Sequence, residues 1–344
     1  MALTLRGDLY NPQIFSAYAG FAFVENLTAL KFARLNDPTA PFVISNSGML
    51  KQAGNFIDNP KFLPISGIVS RRDNTNTGAA TVLGLTTRND TGVRISRKIG
   101  PVGVTKNVVN QAGYSFDLLA KEIGNQGGKN FSLEVRKILI GVAKSICDAM
   151  TSTPHTKSVY VASGTKALMS SQLLAQAKYL MGDSDKLNNG SAGWLLRSES
   201  LLDMTTFQMG QGVQGIADRA AAGANPLMMG LDWAIADDPS LTATNGSNYK
   251  KYFTLAIGSG LIEVELEALT FDEPWYNGTL ENPGWYFRGD VDMMITVPGF
   301  AWDKQNGGVN PDFPTLTTPA YWLPTYSDPR EIPAVEIIHN TTAG

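Results

Sequence analysis

One glycine-rich segment has the spacing of a nucleotide-binding loop. Gly210–Gly215 reads Gly-Gln-Gly-Val-Gln-Gly, which fits G-x-G-x-x-G, and Asp232 follows seventeen residues later. A dinucleotide fold needs a buried apolar strand directly before the first glycine, so that the phosphate meets a helix N-terminus. Residues 202–209 are polar at every second or third position. We therefore interpret the segment as a flexible glycine loop and keep a nucleotide-binding enzyme as the alternative.

Few other residues could carry out catalysis. His155 and His339 are the only histidines, and we expect both at the surface, one after a proline and one near the C-terminal end. A Ser–His–Asp site or a histidine-ligated metal would depend on one of them alone. Gly258–Gly260 reads Gly-Ser-Gly and lacks the spacing of a nucleophile elbow. The sequence thus predicts neither a catalytic residue nor a cofactor.

Three further features each allow a functional and a structural interpretation. Asp237 and Asp238 could bind a cation, but Asp before Pro is a common turn start, which we favour. Cys147, the single cysteine, excludes an internal disulfide and a cysteine-based zinc site, and we expect it in the core. An aromatic cluster could stack a sugar or line a subunit interface; it consists of Trp275, Tyr276, Trp285 and Tyr286.

The composition points away from several functional classes. The 344 residues carry a formal net charge of −3, which argues against tight nucleic-acid binding as the main role. Charged residues make up only 17%, against the roughly 25% of ordinary globular chains. A surface with so few charged residues must be covered by neutral polar groups or by other copies of the chain. We expect neither a transmembrane span nor a signal peptide.

The charges are distributed unevenly along the chain. Residues 61–106 hold eight basic residues against two acids, whereas residues 232–344 hold sixteen acids against five basic residues. The two regions are complementary in charge. This predicts that they meet, either by packing within one chain or by contact between copies.

The pattern of residues predicts an α+β chain whose N-terminal part is an arm. Ile14–Leu30 is apolar and aromatic with weak helical spacing, so it must bury against its own body or a neighbour. Two β-type runs, Thr81–Thr86 and Val93–Ser96, flank Asn89–Gly92, which reads as the turn of a long hairpin. A hairpin is marginally stable alone, so we expect it to lie on another surface.

The clearest helix is predicted over residues 131–150, where apolar residues recur at spacings of three and four. A shorter helical piece, Phe116–Ile123, precedes it. Three glycines are expected to separate the two, namely Gly124, Gly127 and Gly128.

Several local motifs, taken in order, resemble those of one family. They are Leu9–Phe15, Phe62–Pro64, Trp194–Ser198 and Val297–Trp302. The chain resembles the major capsid proteins of tailed bacteriophages, whose fold is shared with encapsulin shells and the herpesvirus capsid floor. The resemblance implies an N-terminal arm, an extended hairpin loop (E-loop), a peripheral domain with a long spine helix, and an axial domain. The implied ranges are 1–50 for the arm, 51–108 for the E-loop, 109–159 with 269–344 for the peripheral domain (spine helix 131–150), and 160–268 for the axial domain.

The resemblance also implies a function and partners. We expect a structural protein that self-assembles into hexamers and pentamers of an icosahedral head enclosing double-stranded DNA. It would assemble in the host cytoplasm and remain in the virion, without a cofactor, metal or membrane. Portal, scaffold and decoration proteins would be partners, and packaged DNA would be held only weakly; a tube or decoration protein is the alternative. The basic residues of the hairpin are the candidate inter-subunit contacts: Arg71, Arg72, Arg88, Arg94, Arg97 and Lys98.

Overall fold

The computed structural model describes residues 12–28, 30–45, 54–62, 87–105, 107, 116–150, 155–180, 193–210, 232–244, 249–267, 270–271, 275–277, 284–326 and 328–342. The described part is an α+β fold built on two sheets. The helices are α1 Pro12–Thr28, α2 Phe116–Ala149, α3 Ser171–Leu180, α4 Ser198–Gly210 and α5 Phe313–Leu316. The strands are β1 Ala33–Leu35, β2 Phe42–Ser45, β3 Phe56–Phe62, β4 Thr87–Thr105, β5 Thr156–Ser158, β6 Gly193–Leu196, β7 Asp232–Ile235, β8 Thr242–Thr244, β9 Lys250–Ile257, β10 Ile262–Leu266, β11 Thr270–Phe271, β12 Trp275–Asn277, β13 Gly284–Thr296, β14 Phe300–Trp302, β15 Trp322–Pro324 and β16 Ala334–His339.

The larger sheet brings distant parts of the chain together. Its strand order is β1-β2-β10-β13-β4-β3, and β11 and β12 also pair with β13. The 19-residue β4 runs antiparallel to β13, from Val93 opposite Ile295 to Thr105 opposite Gly284. Val93 and Ile295 are both fully buried in the main core. The long β4–β13 ribbon is therefore anchored in the main core at its Val93–Ile295 end.

The predicted turn at Asn89–Gly92 is wrong, because these residues lie inside β4. They pair with β3, where Asp90 stands opposite Asn59. Asp90 is fully buried, and its carboxylate accepts hydrogen bonds from the Gly299 backbone N–H at 3.1 Å and the Thr325 hydroxyl at 2.7 Å. These tertiary hydrogen bonds override the local turn preference of the Asn-Asp-Thr-Gly sequence. The strand predicted at Thr81–Thr86 lies outside the described residues.

The smaller sheet has the strand order β5-β16-β9-β6-β7, with β8 also paired to β9. Strand β16, from the end of the chain, runs between β5 and β9. One face carries a second hydrophobic core, to which α3 and α4 contribute Leu174 and Met204. Strand β16 thus joins a sheet whose other strands come from residues 156–257. Strand β10, which follows β9 in the sequence, belongs to the larger sheet instead.

The glycines of α2 do not interrupt the helix, contrary to the sequence prediction. The helix is continuous over 34 residues, so the predicted spine helix 131–150 is its C-terminal half. Gly124, Gly127 and Gly128 are all buried. Glycine in a helix costs about 1 kcal/mol relative to alanine, but here it leaves room for a neighbouring helix, whose burial offsets that cost.

The expected surface position of the two histidines is also wrong. The Nδ1 atom of His155 lies 2.9 Å from the Ala334 carbonyl oxygen, and burial lowers the pKa of this ring. His339 is fully buried with its Nε2 atom 3.1 Å from the Thr254 hydroxyl, and burial lowers its pKa to about 4. Both rings lie in the interior; His339 has hydrogen-bond partners at both nitrogens, whereas His155 has one at Nδ1 and its Nε2 atom has none. Cys147 is buried, as predicted from the helix pattern.

Candidate assembly surfaces

The arginines predicted to contact a neighbouring subunit make ion pairs within their own chain. Arg88 lies 2.6 Å from Glu331 and 3.2 Å from the buried carboxylate of Asp90. The approach to Asp90 has ion-pair distance but not hydrogen-bond geometry, since the Arg88 Nε atom has no hydrogen-bond acceptor. Arg94 pairs with Asp292 on the adjacent strand β13. Arg71 and Arg72 lie outside the described residues.

Arg97 and Lys98 lie at a groove of about 370 Å³ between β4 and α2. Arg97 donates to the Pro311 carbonyl at 3.2 Å and lies 3.9 Å from Glu134. Lys98 is exposed. Among the candidate contacts that the structure describes, Lys98 is therefore the one best placed to meet another molecule without breaking an ion pair of its own subunit.

The complementary charges of the two regions meet, at least in part, inside one subunit. Besides the arginine pairs, Lys61 of β3 lies 3.3 Å from Glu263 of β10. Packing within one chain thus accounts for part of the charge complementarity. Contact between copies through these residues remains a prediction.

Helix α1 of the arm packs very closely on α2. A Cβ atom added at Gly128 would lie 2.2 Å from the Ala19 carbonyl oxygen, so only glycine fits there. One turn further along, the rings of Phe23 and Phe131 are 5.0 Å apart. One face of the arm helix is therefore buried against the subunit's own body, which was one of the two arrangements the sequence allowed.

The opposite face of α1 is apolar and exposed to solvent. It is formed by Ala17, Phe21 and Val24, which recur at helical spacing, and the exposed fractions of Phe21 and Val24 are 76% and 40%. Glu25 is the only charged residue in the helix sequence. It is exposed four residues after Phe21, at the edge of this face, so the exposed face is largely but not entirely apolar. This face, called the outer stripe below, is a candidate contact surface, and the weak helical spacing of Ile14–Leu30 was its signal in the sequence.

A buried ion pair joins α2 to the smaller sheet. The Lys144 Nζ atom lies 2.9 Å from Glu336 of β16 and also contacts Asp148. It stands 3.7 Å from the centre of the Phe253 ring. Burial raises the pKa of Glu336 to about 7, against the opposing effect of Lys144. The pair connects the long helix to the strand from the chain's end, so it couples the two layers of the fold.

The surroundings of the other chemical candidates favour their structural interpretations. Gly210 ends helix α4, which covers residues 202–209 and takes the place of the strand that a dinucleotide fold requires. Residues 211–231 lie outside the described part. Asp238 caps a 3-10 turn at Pro239–Leu241, which confirms the predicted turn. Within the described ranges no group of residues is suited to hold a metal ion, and no helix is long and apolar enough to cross a membrane.

The four aromatic residues of the predicted cluster are aligned on neighbouring strands. In the β12–β13 ladder, Trp275 stands opposite Tyr286 and Tyr276 opposite Trp285. This pairing is consistent with either interpretation of the cluster, and neither is tested by it.

Comparison with known proteins identifies the family. The family described as "Major capsid protein 13-like" matches residues 11–335. The fold is similar to that of the capsid of Ralstonia phage GP4, with a TM-score of 0.59, 10% identity, and coverage of 92% of this chain and 91% of that one. It is also similar to the Cyanophage Pam1 capsid, with a TM-score of 0.59, 14% identity, and coverage of 94% of both chains. No curated protein sequence matches significantly.

The chain therefore belongs to the Major capsid protein 13-like family, since the match covers nearly its whole length. It has the fold of tailed-phage capsid proteins, as the motifs predicted. It is a structural protein of the virion capsid, which assembles from copies of itself, and not an enzyme.

Proposed function

We propose that this chain forms the hexamers and pentamers of an icosahedral phage head that encloses double-stranded DNA. The observation that carries the proposal is the outer stripe of α1, an apolar face that a single subunit leaves exposed. Portal, scaffold and decoration proteins are proposed partners of the same shell. No cofactor enters the proposal.

We assign the arm to residues 1–50, the E-loop to 51–108, and the peripheral domain, which includes α2, to 109–159 with 269–344. The larger sheet takes strands from all three of these regions. We assign the axial domain to residues 160–268, which supply α3, α4 and most strands of the smaller sheet. That sheet also takes β5 and β16 from the peripheral ranges, and β10 lies in the larger sheet. In this arrangement the Lys144–Glu336 pair lies where the spine helix meets the axial sheet.

The outer stripe is proposed to pack against another copy of the chain. A capsid subunit meets many copies of itself, and each copy presents the same apolar face. Burying a phenylalanine side chain contributes about 1.5–3 kcal/mol, and in a shell this contribution recurs at every contact. Within the part of the chain that the structure describes, α2 covers the opposite face of the helix and leaves the outer stripe exposed.

Charge substitution on this face tests the proposal. Phe21→Asp should leave the subunit folded, because the side chain is exposed, but should prevent particles from forming, as seen by electron microscopy. Val309→Asp is the matched control, since Val309 is 53% exposed and lies far along the chain, between β14 and α5. If Phe21→Asp builds particles as efficiently as Val309→Asp, the stripe is not an interface between copies.

Lys98 tests the proposed role of the E-loop separately. Reversing Arg94 would place a negative charge against Asp292 of the same subunit, so it would confuse folding with assembly. Lys98→Glu avoids this, and we expect a folded subunit with a reduced particle yield. Lys129→Glu, at an exposed position on α2, is the control. Equal particle yields from the two variants would rule out an interface role for Lys98.

A further inference from the structure

The joint between α2 and the smaller sheet contains two carboxylates that share one lysine. The Lys144 Nζ atom lies 2.9 Å from Glu336 of β16 and also contacts Asp148, one turn further along α2. The Glu336 side chain is fully buried. Lys144 stands at ion-pair distance from it without hydrogen-bond geometry, and no other described residue donates a hydrogen bond to the carboxylate. With all three groups ionised, the cluster carries one uncompensated negative charge in the interior.

Among the described residues, the strands on both sides of β16 add one further charge near Glu336. On β9, Lys251 lies on the same face of the sheet, and its charge favours the ionised form of Glu336. On β5, Thr156 stands opposite Glu336, and Lys157 belongs to the other face. From α2, Cys147 adds a buried thiol, whose pKa is raised by burial and then by the charge of Glu336. The lysine and the aspartate of α2 act on Glu336 more strongly than these neighbours.

A buried cluster of this composition favours the uptake of one proton. Protonation of Glu336 removes the uncompensated charge and leaves Lys144 paired with Asp148. Burial accordingly raises the pKa of Glu336 to about 7, while Lys144 opposes this rise and Asp148 adds to it. Once Glu336 is ionised, its carboxylate is solvated by water only when α2 separates locally from β16. Ionisation therefore favours opening of the joint.

The joint lies where α2 passes from one part of the fold to the other. The N-terminal half of the helix packs on α1 through Gly128 and Phe131 and borders β4 at the groove. The C-terminal half holds Lys144 against the smaller sheet. Opening at Lys144 thus changes how firmly the smaller sheet is held on α2, and it leaves the contacts of the arm helix in place.

We propose that the cluster of Lys144, Asp148 and Glu336 is a proton-operated joint, which holds the smaller sheet on α2 when Glu336 is protonated and releases it locally when Glu336 is ionised. The inference concerns the single subunit, so it stands or falls independently of the proposed shell. Because the pKa of Glu336 is raised in the folded chain, the joint is tightest below pH 4.5 and loosens as pH rises to about 7. The change in pKa corresponds to an increase of about 300-fold in the opening equilibrium, which is constant at higher pH.

Labelling of Cys147 in unassembled subunits tests the proposal, because this single thiol is buried beside the cluster. A dipyridyl disulfide, which reacts with thiols in acid as well as at neutral pH, reaches Cys147 only when the surrounding structure opens. Glu336→Gln mimics the protonated side chain and should keep the joint closed at every pH. The ratio of the labelling rates of the original chain and this variant cancels the intrinsic reactivity of the thiol. We expect this ratio to rise by up to about 300-fold from acid to neutral pH.

Two further variants separate the cluster from general effects of charge. Asp148→Asn removes the charge that adds to the raised pKa of Glu336, so its labelling rate relative to Glu336→Gln should depend less on pH. Glu134→Gln is the matched control, since it neutralises a half-buried glutamate elsewhere on α2 and should keep the full pH dependence. The proposal is overturned if the ratio stays constant with pH, or if Glu134→Gln weakens the pH dependence as much as Asp148→Asn. It is also overturned if labelling in low urea follows the steep urea dependence of complete unfolding, because the thiol would then be reached without local opening.

Discussion

The close contact between α1 and α2 gives the sharpest stability prediction. In Gly128→Ala the new methyl group would lie 2.2 Å from the Ala19 carbonyl oxygen, where a carbon–oxygen contact needs more than about 3 Å. The obstructing atom belongs to the backbone of α1, so it cannot move aside as a flexible side chain would. The arm helix must shift away from α2 by roughly 1 Å.

The size of the effect follows from two opposing contributions. Overpacking a close contact costs typically 1–3 kcal/mol, while replacing glycine by alanine inside a helix returns about 1 kcal/mol. Gly20→Ala, in α1 itself, provides the matched control because nothing lies within 4 Å of its added methyl group. The helix-propensity gain is common to both variants, so their difference in unfolding free energy isolates the overpacking cost.

Urea denaturation of unassembled subunits measures this difference. We expect Gly20→Ala to be more stable than the original chain by up to about 1 kcal/mol, and Gly128→Ala to lie about 1–3 kcal/mol below Gly20→Ala. Gly128→Ala should also assemble less efficiently, since its outer stripe is displaced. If the two variants unfold at the same urea concentration with the same slope, α1 does not pack on Gly128 and the position given for the arm helix is wrong.

Two buried carboxylates give the remaining predictions. The pKa of Glu336 is raised from 4.5 to about 7 in the folded chain. Its contribution to the free energy of unfolding is therefore complete below pH 4.5 and lost as pH rises through about 7. At about 1.4 kcal/mol per pH unit, this stabilisation is up to about 3 kcal/mol. Urea unfolding of Glu336→Gln between pH 4.5 and 7 should lack this pH dependence. If the variant keeps the pH dependence of the original chain, the role given to Glu336 is wrong. Asp90→Asn should destabilise the subunit by roughly 3–5 kcal/mol, because it leaves Arg88 partly unpaired in the interior. Asp58→Asn, at an exposed ion pair, should cost less than about 1 kcal/mol by the same assay, and equal losses would refute the importance attributed to the Asp90 network.

The sequence was sufficient for the features that depend on local pattern. The apolar spacing after residue 131 predicted a helix, and the core position of Cys147 followed from it. The Asp-Pro sequence at 238–239 predicted a turn that the structure contains. The ordered set of motifs predicted the capsid fold that the comparisons show.

Features that depend on tertiary contact were not accessible in this way. Gly128 was read as a helix break because its neighbour Ala19, more than a hundred residues away, is invisible to local spacing. Asn89–Gly92 was read as a turn because nothing nearby shows that Gly299 and Thr325 hold Asp90 in a strand. Two histidines were placed at the surface because the sequence does not reveal that His155 contacts the Ala334 carbonyl and His339 the Thr254 hydroxyl in the interior.

Electron microscopy of the purified chain, combined with its particle mass, tests the central claim most directly. We predict closed particles of megadalton mass whose surface resolves into hexamers and pentamers, formed by the original chain and lost in Phe21→Asp. A stable monomer under all assembly conditions, or an open tube without pentamers, would contradict the proposed shell.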